Sequence, residues 1–219
     1  MNLDPKELSY IIKIYKEKKG IIDKKINSFE DIYKNGSPLD LFYELIFCIL
    51  AAGTSAELAF KTTEKLKLKK FLLTANQNDI IAFLKTCYRF YNVRGKYIFL
   101  TREYLTKNYN FDLKNYLNKE KNEIALRNLL ANDINIKGIG MKAASHFLRN
   151  IGFKNIAILD KHILNKMKEI KLIPSNFKLT RNNYIIVESK LRNFAKKTNF
   201  NLAELDLILW FMKTGKIIK

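Results

Sequence analysis

Residues 134–167 constrain the fold more than any other stretch, because a closely spaced pair of glycines near their start interrupts a helical pattern. The interruption reads Lys137, Gly138, Ile139, Gly140. Glycine lets the backbone turn sharply without a Cβ penalty. An apolar stripe at helical spacing starts at once, from Met141 to Ile151. The pattern predicts two helices joined by a tight hairpin.

Such a hairpin directs several backbone N–H groups outward at a helix start, where the helix dipole is positive. That end of a helix can hold a phosphate group. Two glycines with one residue between them are nevertheless a weak signal. The residues predicted to contact a nucleic-acid backbone are Lys137, Gly138, Ile139 and Gly140.

Two further residues strengthen this interpretation. Lys142 falls in the first turn after the hairpin, and Asp160 follows 18 residues later (160 − 142), after an apolar segment. A deprotonated lysine amine is a nucleophile that can form a Schiff base with a sugar carbon. The simpler interpretation is that Lys142 is one more phosphate contact and Asp160 only a helix N-cap. The pair, in this order behind the hairpin, favours catalysis.

The sequence here resembles the helix-hairpin-helix DNA glycosylase superfamily, in which a hairpin, a catalytic lysine and a downstream aspartate recur at this spacing. More narrowly, it is similar to the short 8-oxoguanine DNA glycosylase/AP lyases of archaea and some bacteria. The resemblance runs from about Leu41 to Lys219, and Lys137 departs from the usual proline. It rests on the segments IKGIGMKAASHFLRN, AILDKHIL and LAELDLILWFMKTGKIIK.

The resemblance implies a bifunctional enzyme that excises 8-oxoguanine from double-stranded DNA and cuts the strand by β-elimination. It implies Lys142 as the nucleophile and Asp160 as the group that stabilises positive charge on the sugar. No metal or organic cofactor is expected, and the enzyme is expected to act as a monomer.

The charge balance supports a nucleic-acid partner. The chain of 219 residues has 40 Lys and Arg against 21 Asp and Glu, a formal net charge of +19. Such an excess favours a polyanionic partner. The two cysteines, Cys48 and Cys87, cannot supply the four thiolates of an iron–sulfur cluster. With no signal peptide and no apolar run near the ~18 residues that span a bilayer, the protein is expected in the cytoplasm with the chromosome.

The fold is predicted to be all-α, the helix-hairpin-helix glycosylase fold without an iron–sulfur cluster. A first helix is expected from Pro5 to just before Gly20 and a second to about Tyr33, followed by a buried central helix near 41–52. We expect one glycosylase unit over residues 1–219, with two helical lobes and a cleft between them. The lobes are expected at about 41–131 and at about 1–40 with 132–219.

The C-terminal helix carries a possible base-reading pair. Asp206 and Trp210 are four residues apart and share a helix face. A carboxylate can accept both donors of guanine's Watson–Crick edge, and an indole can stack on a flipped base. A surface aspartate and a core tryptophan are the alternative. His146 is either a pocket wall or a core histidine, and His162 is expected near a phosphate. The resemblance alone implies that Lys219 reaches the pocket for the flipped base.

A second set of residues could face the opposite strand. Between Arg89 and Arg94 the chain places aromatic residues at a loop tip, where a side chain could wedge into a duplex. A capped helix with its tyrosine in the core is the alternative. By resemblance Arg94 faces the orphaned cytosine, with Val93 beside it. Gly53 occupies a position where relatives carry Asn or Gln, so the opposite-base preference is open.

Other functions stay open at this level. A non-catalytic helix-hairpin-helix protein would bind DNA with neither Lys142 nor Asp160. A glycosylase of the same fold for oxidised pyrimidines would have no carboxylate matched to guanine. An RNA-binding protein is disfavoured because no stacking sheet or other RNA-module pattern is visible.

Overall fold

The computed structural model describes residues 5–217, and within that range it contains eleven α-helices and no β-strand. The all-α prediction is confirmed. The helices are α1 Pro5–Asn35, α2 Pro38–Ala51, α3 Ala56–Lys69, α4 Gln77–Lys85, α5 Tyr91–Tyr109, α6 Leu113–Leu117, α7 Glu123–Asn132, α8 Met141–Asn150, α9 Lys161–Glu169, α10 Tyr184–Thr198 and α11 Leu202–Thr214. Within the described range, no helix combines the length and hydropathy needed to cross a membrane.

The first helix differs from the sequence-based prediction, because α1 continues through Gly20 for 31 residues. A glycine inside a helix costs about 1 kcal/mol relative to alanine. The helix buries one long apolar stripe that extends on both sides of Gly20, and this burial outweighs that cost. The stripe consists of Ile11, Ile14, Ile22, Ile26 and Phe29.

The buried central helix is confirmed as α2. Ser37 caps its N-terminus: its hydroxyl accepts from the Asp40 N–H, and the Asp40 carboxylate accepts from the Ser37 N–H in return. Pro38 occupies the first turn, where its missing N–H costs nothing. Every residue from 41 to 50 is buried, so α2 is surrounded by other helices.

The described chain divides into two compact units. The hairpin unit contains Ile32–Phe147, and the aspartate unit contains the described residues up to Asp31 together with those from Leu148 onward. The hairpin unit therefore carries the glycine hairpin and Lys142, whereas the aspartate unit carries Asp160. The lobe boundaries expected from the sequence, near 41 and 131, stay a prediction.

Candidate active site and DNA interface

The predicted hairpin lies between α7 and α8 and is attached to its own unit at several points. The Lys137 N–H donates to the Thr101 hydroxyl at 3.0 Å, and the Ile139 side chain is buried. Gly138 has φ +78°, and a Cβ there would lie 2.7 Å from a ring carbon of Tyr97. Both the backbone conformation and the close packing therefore require glycine at position 138.

Gly140 is a different kind of glycine. It is exposed, and no atom lies within 4 Å of where its Cβ would be. Its carbonyl accepts the Ala144 N–H at 2.8 Å, so α8 starts directly after it. The N–H groups of the first turn of a helix have no partner within the helix. The chain thus presents an open glycine and a helix N-terminus side by side, which suits an anion.

Asp133 stabilises the approach to the hairpin. One carboxylate oxygen accepts from the hydroxyls of Tyr104 and Tyr116 at 3.1 and 3.0 Å, and the other accepts from the Asn135 N–H at 2.9 Å. Burial would raise the pKa of Asp133, but hydrogen bonds from the Asn135 N–H, Tyr116 and Tyr104 outweigh it and lower that pKa. Burial and the neighbouring charge of Asp133 raise the pKa of Tyr116.

Lys142 lies in the first turn of α8, two residues beyond Gly140, and its side chain is exposed. The opposite face of α8 is buried through Ala144, Phe147 and Leu148. This amphipathic packing fixes the helix while the lysine amine faces outward. Of the residues described, none forms a salt bridge with Lys142.

His146, one turn beyond Lys142, is half-buried and packs edge-to-face on Phe47, with ring centroids 5.2 Å apart. The imidazole therefore lies against a buried aromatic ring of α2. Its predicted role as a pocket wall stays a prediction.

The residues predicted to face the opposite strand are neighbours in the hairpin unit. The Arg94 guanidinium donates to the Ala52 carbonyl at 2.8 Å. It also lies 3.2 Å from where a Cβ on Gly138 would be. Gly53 is exposed and has φ +88°. A Cβ at this position would lie 3.5 Å from a ring carbon of Phe90. Val93 is 50% exposed. Arg94 thus links the Gly53 turn to the hairpin.

Asp160 is the N-cap of α9, as the simpler interpretation of the sequence expects. Its Oδ1 accepts from the backbone N–H groups of His162 and Ile163, both at 2.8 Å. No described residue donates a hydrogen bond to Oδ2. One oxygen therefore anchors the carboxylate, while the other can face a positive charge outside the helix. A capping role and a catalytic role are compatible in this geometry.

His162 and Trp210 contact each other in the aspartate unit. Their ring centroids are 5.3 Å apart and the planes are nearly perpendicular, at 81°. Trp210 is half-buried, and among the described residues its indole N–H finds no hydrogen-bond acceptor. Two residues with different predicted roles, phosphate binding and base stacking, therefore lie together at the start of α9.

Asp206 has a partner that the sequence analysis missed. Its carboxylate forms a salt bridge with Arg149, at 3.2 Å, and the two side chains are 13% and 4% exposed. The Arg149 guanidinium also lies 4.9 Å from the centre of the Phe29 ring. The sequence carried no local signal for this pair, because Arg149 lies off the apolar stripe of α8 and only tertiary packing buries it. The role of Asp206 in reading guanine stays a prediction.

Two further expectations from the sequence concern Lys219 and metal ligands. Lys219 lies outside the described residues. Within the range 5–217, no three His, Cys, Asp or Glu side chains cluster as metal ligands would. Cys48 is buried and Cys87 is half-buried, and within the described range neither forms a disulfide.

Comparison with known proteins gives consistent matches. A family model described as 8-oxoguanine DNA glycosylase matches residues 22–200. The 8-oxoguanine DNA glycosylase/AP lyase of Methanocaldococcus jannaschii is 40% identical over 207 residues, which cover 93% of this chain and 94% of that protein.

Solved structures give the same result. The crystal structure of the M. jannaschii 8-oxoguanine DNA glycosylase matches with a TM-score of 0.85 and 36% identity, covering 97% of this chain and 95% of that one. A crystal structure of the M. jannaschii 8-oxoguanine glycosylase/lyase, in complex with 15mer DNA containing 8-oxoguanine, matches with a TM-score of 0.80 at 36% identity. It covers 96% of this chain and 100% of that one.

Proposed function

The chain belongs to the 8-oxoguanine DNA glycosylase family, and on that premise we propose that it excises 8-oxoguanine from DNA and cuts the strand at the resulting abasic site. One observation carries the proposal within the chain itself. The exposed Lys142 follows the open Gly140 hairpin by two residues, so an amine stands next to the helix N-terminus that can hold a phosphate. The net charge of +19 suits a polyanionic substrate.

The first chemical step is attack by the Lys142 amine on C1′ of the damaged nucleotide. A bond forms between Nζ and C1′, the N-glycosidic bond breaks, and the base leaves with the bonding electron pair. Asp160 stabilises the positive charge that develops on the sugar. Two observations support this assignment to Asp160. Its Oδ1 is held by two backbone N–H groups, and no described residue donates a hydrogen bond to its Oδ2.

The second step cuts the strand. Opening of the sugar ring gives a protonated imine between Lys142 and C1′. Loss of a C2′ proton then expels the 3′ phosphate by β-elimination, and hydrolysis of the imine frees the lysine. This sequence needs no metal, oxidant or reductant, because the lysine amine supplies the nucleophile and the imine supplies the electron sink.

The remaining residues are proposed to bind the substrate. Asp206, Trp210 and His146 recognise the extruded base, His162 lies near a phosphate, and Arg94, Val93 and Gly53 face the opposite strand. The His162–Trp210 contact supports a stacking surface, and the Arg94–Ala52 hydrogen bond supports a rigid opposite-base site. We further propose that a single copy of the chain acts on chromosomal DNA inside the cell.

Borohydride trapping tests the proposal. Incubating the protein with an 8-oxoguanine duplex and borohydride should reduce the imine and leave protein covalently attached to DNA. Lys142→Gln should abolish this product, whereas Lys85→Gln, which removes another exposed lysine from the hairpin unit, should not. If Lys142→Gln cross-links as well as the parent protein, Lys142 is not the nucleophile.

The same experiment separates the alternatives. A protein that binds the duplex but never becomes attached to it is a non-catalytic DNA binder. Competition with duplexes that contain an oxidised pyrimidine should leave trapping on 8-oxoguanine nearly unchanged. Strong competition by the pyrimidine lesion would instead assign the pocket to that substrate.

A further inference from the structure

Residues 156–159, directly before Asp160, are buried but have no regular secondary structure. They belong to the connection between α8 and α9, and Ile156, Ala157, Ile158 and Leu159 are all at most 5% exposed, whereas the preceding Asn155 is exposed. Backbone N–H and C=O groups that are buried outside a helix or sheet need other hydrogen-bond partners. The position of Asp160 therefore depends on what binds the backbone of this segment.

Helix α10 supplies those partners from its side chains. The Tyr184 hydroxyl donates to the Ala157 carbonyl at 2.8 Å and accepts from the Leu159 N–H at 3.3 Å. The Glu188 carboxylate accepts from the Ala157 N–H at 2.8 Å. The Arg192 guanidinium donates to the Asn155 carbonyl at 2.9 Å.

The three side chains follow each other at intervals of four residues, so they form one stripe on α10. Glu188 is 0% exposed and Tyr184 is 2% exposed. Arg192 lies 3.7 Å from Glu188, which places a positive charge beside the buried carboxylate. We call Tyr184, Glu188 and Arg192 the α10 stripe. It binds the backbone of every second residue of the segment (155, 157 and 159), as a neighbouring β-strand would.

We propose that the α10 stripe positions Asp160 for the reaction, and this inference rests on the proposed function. The last contact of the stripe, at Leu159, is adjacent to Asp160 in the chain. The Asp160 N–H in turn donates to the Ile158 carbonyl at 3.0 Å. Tyr184, Glu188 and Arg192 act through the backbone and do not touch the substrate. They are positioning residues.

The decisive variant is Tyr184→Phe, which removes one hydroxyl and keeps the buried ring. The rate constant for base excision is measured under single-turnover conditions, with DNA affinity measured separately. We expect excision to slow roughly tenfold because a small misplacement of a catalytic group lowers the rate strongly. DNA affinity should change less than about twofold, because a hydroxyl that acts on Asp160 affects the reaction more than binding.

A double-mutant cycle shows whether Tyr184 acts through Asp160. In an Asp160→Asn background, Tyr184→Phe should slow excision no further, because the group that it positions is already gone. An equal loss in both backgrounds would overturn the inference, as would an unchanged rate in the parent background. A parent protein that neither excises nor is trapped would overturn both this inference and the proposed function.

Two controls separate positioning from loss of folding. Tyr15→Phe removes the hydroxyl that donates to Glu204 at 3.1 Å in the same unit, and excision should remain within about twofold of the parent. Glu188→Gln keeps an oxygen acceptor for the Ala157 N–H and should retain most of the rate, whereas Glu188→Ala should not. If Glu188→Gln is as slow as Glu188→Ala while both remain folded, the Ala157 contact is not what positions Asp160.

Discussion

The hairpin at 137–140 and the segment at 155–159 each lie in a connection between two helices, yet they differ in whether the backbone is accessible. The hairpin ends in an exposed glycine next to a helix start, so its backbone is available to a ligand. The segment is buried from 156 to 159, and its backbone is bound by side chains of α10. The hairpin therefore offers main-chain groups to a ligand, whereas the buried segment holds a single side chain, that of Asp160, in place.

This difference matches two separate tasks in the proposed reaction, holding the DNA backbone and stabilising the transition state. A backbone phosphate carries no base identity, so main-chain N–H groups and a helix dipole are sufficient to hold it. A group that stabilises charge in a transition state must be fixed in advance. Substitutions in the hairpin should therefore lower affinity or stability, whereas substitutions at Asp160 should lower the rate.

The largest expected effect is that of Asp160→Asn. Asparagine caps a helix about as well as aspartate, so the free energy of unfolding should change by less than about 0.5 kcal/mol. Loss of the negative charge should slow excision by about a hundredfold or more. Single-turnover kinetics and chemical denaturation measure the two effects.

A matched control is Asp112→Asn, which makes the same change at the N-cap of α6. It should leave the excision rate within about twofold of the parent rate. A comparable loss in both variants would mean that capping, and not charge at Asp160, supports the reaction.

The next effect is that of Gly138→Ala on stability. A non-glycine residue at φ +78° costs about 1–2 kcal/mol, and the new methyl group would contact the Tyr97 ring. Urea unfolding should show a free energy of unfolding lower by about 2 kcal/mol. Full retention of stability would show that the hairpin can adjust to a side chain, contrary to the packing at Tyr97.

Gly140→Ala, in the same hairpin, should lower DNA affinity and leave stability unchanged. Nothing lies within 4 Å of the new methyl group, so folding should be unaffected. The methyl group would stand where a phosphate approaches, and the dissociation constant for duplex DNA should rise roughly tenfold, as expected for losing a hydrogen bond to a charged group. Unchanged DNA affinity would mean that the phosphate is held elsewhere.

The smallest effect concerns acid stability. Since the pKa of Asp133 is lowered in the folded state, its carboxylate stabilises the fold above the unfolded pKa of about 3.9. That contribution is lost as pH falls through the folded value. Asp133→Asn should therefore be less stable than the parent at pH 7, and the difference should narrow below about pH 4. A constant difference from pH 7 to pH 2 would show that the charge of Asp133 is not involved.

Much of the fold was predictable because its signals are local. The buried character of α2 and the N-cap at Asp160 followed from residues within a few helical turns, although α2 begins at Pro38, three residues before the expected start. The break expected at Gly20 was wrong because a local penalty competes there with burial along all of α1. Arg149 was missed as the partner of Asp206 because 57 residues (206 − 149) separate them and only packing brings them together.

The sequence by itself determined the all-α class, the glycine hairpin, the lysine behind it and the family, because these depend on residue types at fixed short spacings. Only the tertiary structure distinguished Gly138, held by its backbone angle and Tyr97, from the open Gly140. It alone showed Tyr184 bound to Ala157 across 27 residues. The physical reason is that spacing fixes which face of a helix a side chain occupies, whereas packing of distant segments decides what that side chain contacts.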